Sequence, residues 1–156
     1  MRGPGLALPL LASCTLLVMS AAPAAGQEEQ LTTFSYTRIY ADSTGESHFS
    51  EERMELEPIT PGRGIPPTPA STPIPASGLR LFCPPAGGEA RWHPVPERLF
   101  NLIVSGEFEI EVSSGETRQF GPGSLILGED TTGWGHRTRV VGEEEACFAM
   151  VMLPEE

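Results

Sequence analysis

The stretch LIVSGEFEIEVSSGE, residues 102–116, decides the fold class. After Gly106, the apolar residues Phe108, Ile110 and Val112 alternate with three glutamates. Successive side chains of a β-strand point to opposite faces, so one face here is apolar and the other is acidic. The Ser-Ser-Gly that follows is typical of a tight hairpin turn. The stretch therefore predicts a half-buried antiparallel strand whose glutamates form a solvated face and are not catalytic acids.

The chain after residue 26 continues as short strands separated by turn residues. Further strands are predicted at residues 31–41, 79–83 and 147–153, which are rich in aromatic, β-branched and other apolar residues. No long stretch carries apolar residues at the helical spacing i, i+3, i+4 and i+7. Seven prolines lie in residues 58–78, and because proline cannot donate to a sheet ladder, this segment cannot be a central strand. We therefore predict an all-β fold.

The first 26 residues have the composition of a secretory signal peptide. Arg2 gives a positive start, residues 6–19 are almost wholly apolar, and small residues suited to cleavage run from Ala24 to Gly26. The apolar run is short for a membrane-spanning helix, and it continues past Cys14, where a lipoprotein signal would end. We expect a secreted or periplasmic protein with no lipid anchor and no stable membrane insertion after the signal is removed.

The remaining chain is predicted to form one domain, residues 27–156. Residues 27–57 supply N-terminal strands, residues 58–78 form a Pro-rich loop, and residues 79–154 form the main barrel. A chain of about 130 residues is long enough to bury a single hydrophobic core.

Charge excludes several classes of function. The formal net charge is −11, and all ten basic residues are arginines. Nucleic acids and anionic membrane surfaces need a basic footprint, which this chain lacks. A Schiff-base lysine or a phosphate-loop lysine is excluded because the chain contains no lysine. Two cysteines remain beyond the signal, Cys83 and Cys147, either as a disulfide in an oxidising compartment or as two buried thiols.

Two histidine-containing segments resemble the sequence motifs of the cupins, a family of small jelly-roll barrels. The first cupin motif has the form H-x-H-x3-E-x6-G, and here His93 and Gly106 stand at its ends, with Val95 and Leu99 in place of the second His and the Glu. The second motif is matched by Pro122-Gly123, a strand, and Gly133-x-x-His136, with a gap two residues longer than usual.

The resemblance is closest to a cupin subgroup with three characteristic segments. They are GESHF at residues 45–49, WHxxP at residues 92–96 and EDTTGxGH at residues 129–136. The subgroup often has Gln at position 99 and Lys at position 134, where this chain has Leu99 and Trp134, so its pocket is expected to be more apolar. The resemblance implies a single jelly-roll β-barrel of antiparallel strands.

In cupins that hold a transition metal, three histidines and a carboxylate converge on the ion. By position, this chain keeps His93 and His136, which are expected to project into one interior from opposite walls. Glu129 or Asp130 would supply a third ligand, and His48 is expected to be exposed. Imidazole and carboxylate suit Fe, Mn, Ni, Cu or Zn. The alternative, a pocket in which both histidines are hydrogen-bonded and no metal is held, stays open.

The expected pocket follows from the motif positions and from period-two alternation along the strand after residue 93. Its expected members are His93, Val95, Leu99, Asn101, Trp134 and His136. Such a pocket predicts the binding of a small, partly apolar molecule. The alternatives are a metal-dependent dioxygenase, isomerase or lyase that uses His93 and His136, a metal-free acid–base enzyme, and an interaction protein that pairs through Phe100, Leu102 and Val104 as a homodimer.

Overall fold

A computed structural model describes residues 31–155, which form β-strands and no helix. The strands are β1 Thr33–Ala41, β2 Ser47–Glu55, β3 Glu57–Ile59, β4 Thr68–Ala70, β5 Gly78–Phe82, β6 Glu89–His93, β7 Leu99–Ser105, β8 Glu107–Val112, β9 Thr117–Phe120, β10 Leu125–Gly128, β11 His136–Val141 and β12 Cys147–Met152. The predicted signal peptide lies outside the described residues. Within them, no helix is long and apolar enough to cross a membrane.

The fold consists mainly of two β-sheets. The larger has six strands in the order β2-β1-β10-β7-β12-β5, and the smaller has four in the order β6-β11-β8-β9. Strands distant in sequence lie side by side, as in a jelly roll. The predicted all-β jelly-roll class is confirmed, with two refinements. The sheets do not close into one ring, and β1 pairs with β10 in the parallel direction.

The core between the sheets follows from the alternation in β8. Phe108, Ile110 and Val112 have exposed fractions of 2%, 5% and 0% and join Ile39 and Ile126, from the larger sheet, in one buried apolar cluster. Burial of such side chains is the main favourable term in folding, at roughly 1.5–3 kcal/mol each. The alternation seen in the sequence thus places β8 with its apolar face against the larger sheet.

The glutamates of β8 lie on the opposite, solvent-facing side. Arg137 and Arg139 on β11 form ion pairs with Glu111 and Glu109. The hydrogen bond from Arg139 holds the pKa of Glu109 below its usual value. The acidic face is therefore an ion-paired surface, and the glutamates are not gathered into a catalytic cluster.

The outer face of the six-stranded sheet is unusually apolar. In register, Leu81 on β5 lies beside Ala149 on β12, which lies beside Leu102 on β7, and Leu79 lies beside Val151 in the next row. These five residues form what we call the outer apolar patch. Its leucines at positions 79, 81 and 102 are 66%, 65% and 42% exposed. The patch reaches the edge of the sheet, because β5 is an edge strand.

The Pro-rich segment and the cysteines complete the fold. β3 and β4 pair as a separate two-stranded ribbon, and neither joins the two main sheets, as the prolines require. Cys83 and Cys147 form a disulfide, which settles the two alternatives that the sequence left open. The bond ties the end of β5 to the start of β12.

Candidate functional site

A cavity of about 430 Å³ lies between the two sheets. Apolar side chains from both sheets form most of its wall, among them Ile39, Leu99, Phe108, Ile110, Ile126 and Val140. The polar residues of the lining are Glu89, His93, Asn101, His136 and Thr138. Pockets for small molecules are typically of this size, mostly apolar, with a few polar groups that orient the ligand.

His93 and His136 lie together at the cavity wall. His93 ends β6 and His136 begins β11, and the two residues are direct register partners. Their ring centroids are 4.9 Å apart. His136 is only 7% exposed, whereas His93 is exposed. The rings share one space, but the expectation of opposite walls was wrong, because β6 and β11 are neighbours in the smaller sheet.

Two glycines bring the β11 segment this close. Gly133 and Gly135 both have positive φ, at 83° and 72°. A Cβ on Gly135 would overlap the carbonyl oxygen of His93, and one on Gly133 would overlap that of Gly45. Real atoms cannot approach so closely, so only glycine permits the backbone contact that sets His136 beside His93.

Asp130 fixes the buried ring of His136. Its Oδ2 atom lies 2.8 Å from Nδ1 of His136 and accepts a hydrogen bond of 3.0 Å from the Ser47 hydroxyl. Asp130 and Ser47 are both fully buried. A carboxylate accepts, so in a neutral imidazole Nδ1 carries the hydrogen and Nε2 keeps its lone pair. Ser47 bonds to Asp130 and not to the ring, so these residues do not form a nucleophile–base pair.

His93 has the same tautomer for a different reason. Its Nδ1 atom lies 2.7 Å from the carbonyl oxygen of Arg91, and a carbonyl oxygen can only accept. Nδ1 of His93 therefore carries a hydrogen, and Nε2 is the lone-pair atom of the neutral ring. Both imidazoles thus present the same kind of atom, an Nε2 acceptor, which is also the atom that a metal ion would bind.

Val95, Leu99 and Asn101 also line the cavity. The backbone N–H of Val95 donates to the carbonyl oxygen of Asp130 at 3.2 Å, which links this wall to the residue that holds His136. Asn101 is the polar residue on this wall, and its Oδ1 atom is buried without a hydrogen-bond partner. An unpaired buried polar atom costs roughly 1–3 kcal/mol, which a ligand or water can recover.

The expectation that Trp134 lines the pocket was wrong. Its side chain is 71% exposed, and it is absent from the cavity wall. The backbone N–H of Trp134 donates to the carbonyl oxygen of Gly45 at 2.9 Å, so the turn is attached to the β1–β2 connection. The indole therefore lies on the outer surface of that turn.

The expectation that Glu129 is a metal ligand beside His93 and His136 was also wrong. Its carboxylate forms ion pairs with Arg38 and Arg98, and it does not line the cavity. Period-two alternation explains this, because Gly128 and Asp130 point inward and Glu129 points to the other face. Burial alone would raise the pKa of Glu129, but the hydrogen bonds from the two arginines outweigh it and lower the pKa.

His48 belongs to a separate group at the β1–β2 turn. Ligand atoms of Asp42, Glu46 and His48 lie within 4.8 Å of one another, a set that could hold a metal ion. Asp42 already accepts hydrogen bonds from Thr44 and from the Glu46 backbone, and its Oδ2 lies 2.9 Å from Nε2 of His48. Hydrogen bonds from Thr44, followed by the contact with His48, lower the Asp42 pKa. The group lies outside the cavity.

Sequence reasoning missed part of the site. Ser47 and Thr138 were not identified, and Asp130 was considered as a metal ligand and not by name as the hydrogen-bond partner of His136. Asp130 lies in the connection between β10 and β11, six residues before His136, and the path of that connection sets the contact. Thr138 lies two residues after His136 on β11, so period-two alternation was a signal that could have found it.

No protein-family model matches the chain, and no curated protein matches it. Similar solved structures include the Schizosaccharomyces pombe Cnp3 cupin domain, at 11% identity and a TM-score of 0.42, over 77% of this chain and 88% of that one. A Cupin_2 domain of an XRE family transcriptional regulator from Enterobacter cloacae is similar at 15% identity and a TM-score of 0.32, over 81% of this chain and 100% of that one.

A third similar structure is the conserved SPY1581 protein of unknown function from Streptococcus pyogenes. It is 22% identical, with a TM-score of 0.41, over 55% of this chain and 72% of that one. Two of these three similar structures are cupin domains.

Proposed function

We propose that this protein is an exported, single-domain cupin that binds a small, partly apolar molecule in the cavity between its sheets. The observation that carries the proposal is the cavity itself, about 430 Å³ of mostly apolar wall with a few polar residues. A protein selected only for stability fills its core, because voids cost free energy in proportion to their volume. A retained cavity of this size favours a ligand.

A neutral fluorescent probe tests this proposal. N-phenylnaphthylamine is small enough for the cavity and emits strongly only in apolar surroundings. We expect saturable binding, and we expect Val140→Phe, which fills space in the cavity wall, to abolish it. Val104→Phe is the matched control, because Val104 is 52% exposed and does not line the cavity. Equal binding by both variants would mean that the probe binds elsewhere.

The second proposal is a metal-dependent enzyme, a dioxygenase, isomerase or lyase, with His93 and His136 as ligands of Fe, Mn, Ni, Cu or Zn. The observation in its favour is that both Nδ1 atoms have acceptors, which leaves both Nε2 atoms free for an ion. Catalytic zinc sites, for comparison, usually have three protein ligands. Among residues 31–155, Glu89 is the one Asp, Glu or Cys residue of the cavity lining that could supply a third.

Metal analysis by mass spectrometry of untagged protein decides between the two proposals. A stoichiometric transition metal that is lost in His93→Ala and in His136→Ala, with the fold retained, would support the enzyme. If both variants contain as much metal as the parent protein, the proposal of a metal-dependent enzyme is contradicted.

Export is proposed on two grounds. The first 26 residues have the composition of a signal peptide, and disulfides such as Cys83–Cys147 persist mainly in oxidising compartments. The test is the N-terminal sequence of protein recovered from the producing cell, which is expected to begin near Gln27. An intact Met1 on the protein would contradict export by cleavage.

A second copy of the chain is the macromolecular partner that we propose, through the outer apolar patch. Leu79 and Leu81 are 66% and 65% exposed, and large apolar side chains gathered on an exposed face are typical of an interaction site. A two-fold axis that packs the patch of one copy face to face on the patch of the other would bury the leucines of both copies. Arg80, which lies between the two leucines, alternates to the opposite face of β5, so it does not enter this contact.

A further inference from the structure

We infer, on the basis of the proposed binding function, that the cavity selects neutral or positively charged molecules that carry an O–H or N–H donor, and that it rejects carboxylates. Three features of the wall lead to this inference: its charges, the state of its two imidazoles, and the carboxylate behind one of them. The ligand class is an apolar amine or alcohol.

The wall offers no positive side chain. None of the arginines in the described part of the chain lines the cavity, and the sequence contains no lysine. The arginines of β11, Arg137 and Arg139, are engaged with Glu111 and Glu109 on the outer face. The one charged residue of the lining, Glu89, is acidic. A carboxylate that entered would lose its hydration without gaining a cation, which is strongly unfavourable.

The two histidines present acceptors. The Arg91 carbonyl oxygen and the Asp130 carboxylate take the Nδ1 hydrogens, so each neutral ring is left with a lone pair on Nε2. The ring centroids are 4.9 Å apart, close enough for one ammonium group, which has three donors, to serve both rings, and for one hydroxyl group to donate to either ring. An anionic head group, which only accepts, would face these lone pairs unfavourably.

Asp130 adds negative potential behind the acceptors. It is fully buried, its Oδ2 atom contacts His136, and its Oδ1 atom has no hydrogen-bond partner. Charges act over longer range where water is excluded. The partners of this carboxylate in the described part of the chain, the Ser47 hydroxyl and the His136 imidazole, bring no permanent positive charge, so the carboxylate makes this end of the cavity favourable for a cation and unfavourable for an anion.

Three molecules with one carbon skeleton test the inference: octylamine, octanol and octanoate. Each is titrated by calorimetry into the mature protein at about pH 8, with EDTA present to remove metal ions. We expect octylamine and octanol to bind, and octanoate to bind about tenfold more weakly or worse, since a hydrogen bond to a charged group accounts for about that factor. Octanoate binding as tightly as octanol would overturn the inference.

A charge introduced at Thr138 supplies the second arm. Thr138 lines the cavity on β11, and Thr138→Lys places a cation there, which is expected to raise octanoate affinity about tenfold. Thr138→Met, of similar length without the charge, is the control and is expected to keep the original order. The same change of preference in both variants would overturn the inference.

The outcomes separate this inference from the function on which it rests. Binding of N-phenylnaphthylamine with no binding of octylamine or octanol would overturn only the ligand class. Failure of the neutral probe together with all three octyl compounds would overturn the proposed binding function as well.

Discussion

At the scale of single residues, the site depends on which atoms of His93 and His136 face the cavity. The motif spacing found both histidines, and the alternation of the strand found Val95, Leu99 and Asn101. Trp134 and Glu129 were placed incorrectly, because their orientation depends on contacts made across the fold. Trp134 is held by the carbonyl oxygen of Gly45, and Glu129 by Arg38 and Arg98. Sequence spacing carries no information on such contacts.

The Asp130 carboxylate is predicted to be what holds the His136 ring. In Asp130→Ala, the buried Nδ1–H loses its acceptor, and we expect the free energy of unfolding to fall by about 1–3 kcal/mol. We also expect imidazole NMR to show that His136 no longer has one tautomer. Ser47→Ala is the control, since it removes one hydrogen bond to Asp130 and leaves that to His136. An unchanged tautomer in Asp130→Ala would contradict the role given to Asp130.

Glu129 is predicted to make stability depend on acid pH. Because its pKa is lower in the folded protein than its ordinary value of 4.5, its contribution is fully present above pH 4.5 and is lost as the pH falls through the folded pKa. We expect Glu129→Gln to weaken this dependence in urea unfolding measured across that range. The same slope in both proteins would show that Glu129 does not contribute.

At the scale of elements, strand identity followed from composition and alternation, whereas strand pairing did not. The alternation of Phe108, Ile110 and Val112 predicted β8 and its two faces. The same pattern gave no indication that β1 pairs with β10 in parallel or that β12 lies between β7 and β5. Those pairings join residues that are far apart in sequence. They are set when the apolar faces of all the strands are buried in one core, which no single segment of sequence encodes.

The turn before β11 is predicted to be intolerant of any side chain at Gly135. In Gly135→Ala, the alanine would have to adopt the positive φ of this position. Its Cβ would also collide with the carbonyl oxygen of His93. Gly115→Ala is the control, since Gly115 has a positive φ and nothing within 4 Å of an added Cβ. We expect Gly115→Ala to cost about 1–2 kcal/mol of unfolding free energy and Gly135→Ala clearly more. Equal losses would mean that the contact with His93 is not tight.

At the scale of the whole molecule, two sheets enclose the cavity, and the disulfide ties two strands of the larger sheet. The Cys83–Cys147 bond closes a loop with a sequence separation of 64, and a cross-link of that span is expected to contribute about 4 kcal/mol to the free energy of unfolding. Replacement of both cysteines by serine is expected to lower the urea midpoint accordingly. The internal comparison is the parent protein, measured with the disulfide intact and again after its reduction. An unchanged midpoint would contradict a structural role for the bond.

The outer apolar patch is predicted to hold two copies together. Stable interfaces bury about 800 Å² per partner, with an apolar centre, and the patch would supply that centre. We expect sedimentation to show a dimer that Leu81→Glu converts to a monomer. Ile65→Glu is the control, because Ile65 is 49% exposed in the Pro-rich segment. A monomeric parent protein would contradict the prediction.

The proposed function requires that a small molecule with a hydrogen-bond donor enters the space between the sheets. Methyl NMR during an octanol titration tests it most directly, because Ile110, Ile126 and Val140 line the cavity and Leu79 and Leu81 lie on the opposite face of the larger sheet. We expect saturable shifts of the cavity methyl groups, with the patch methyl groups unchanged. Shifts confined to the patch, or none at all, would contradict it.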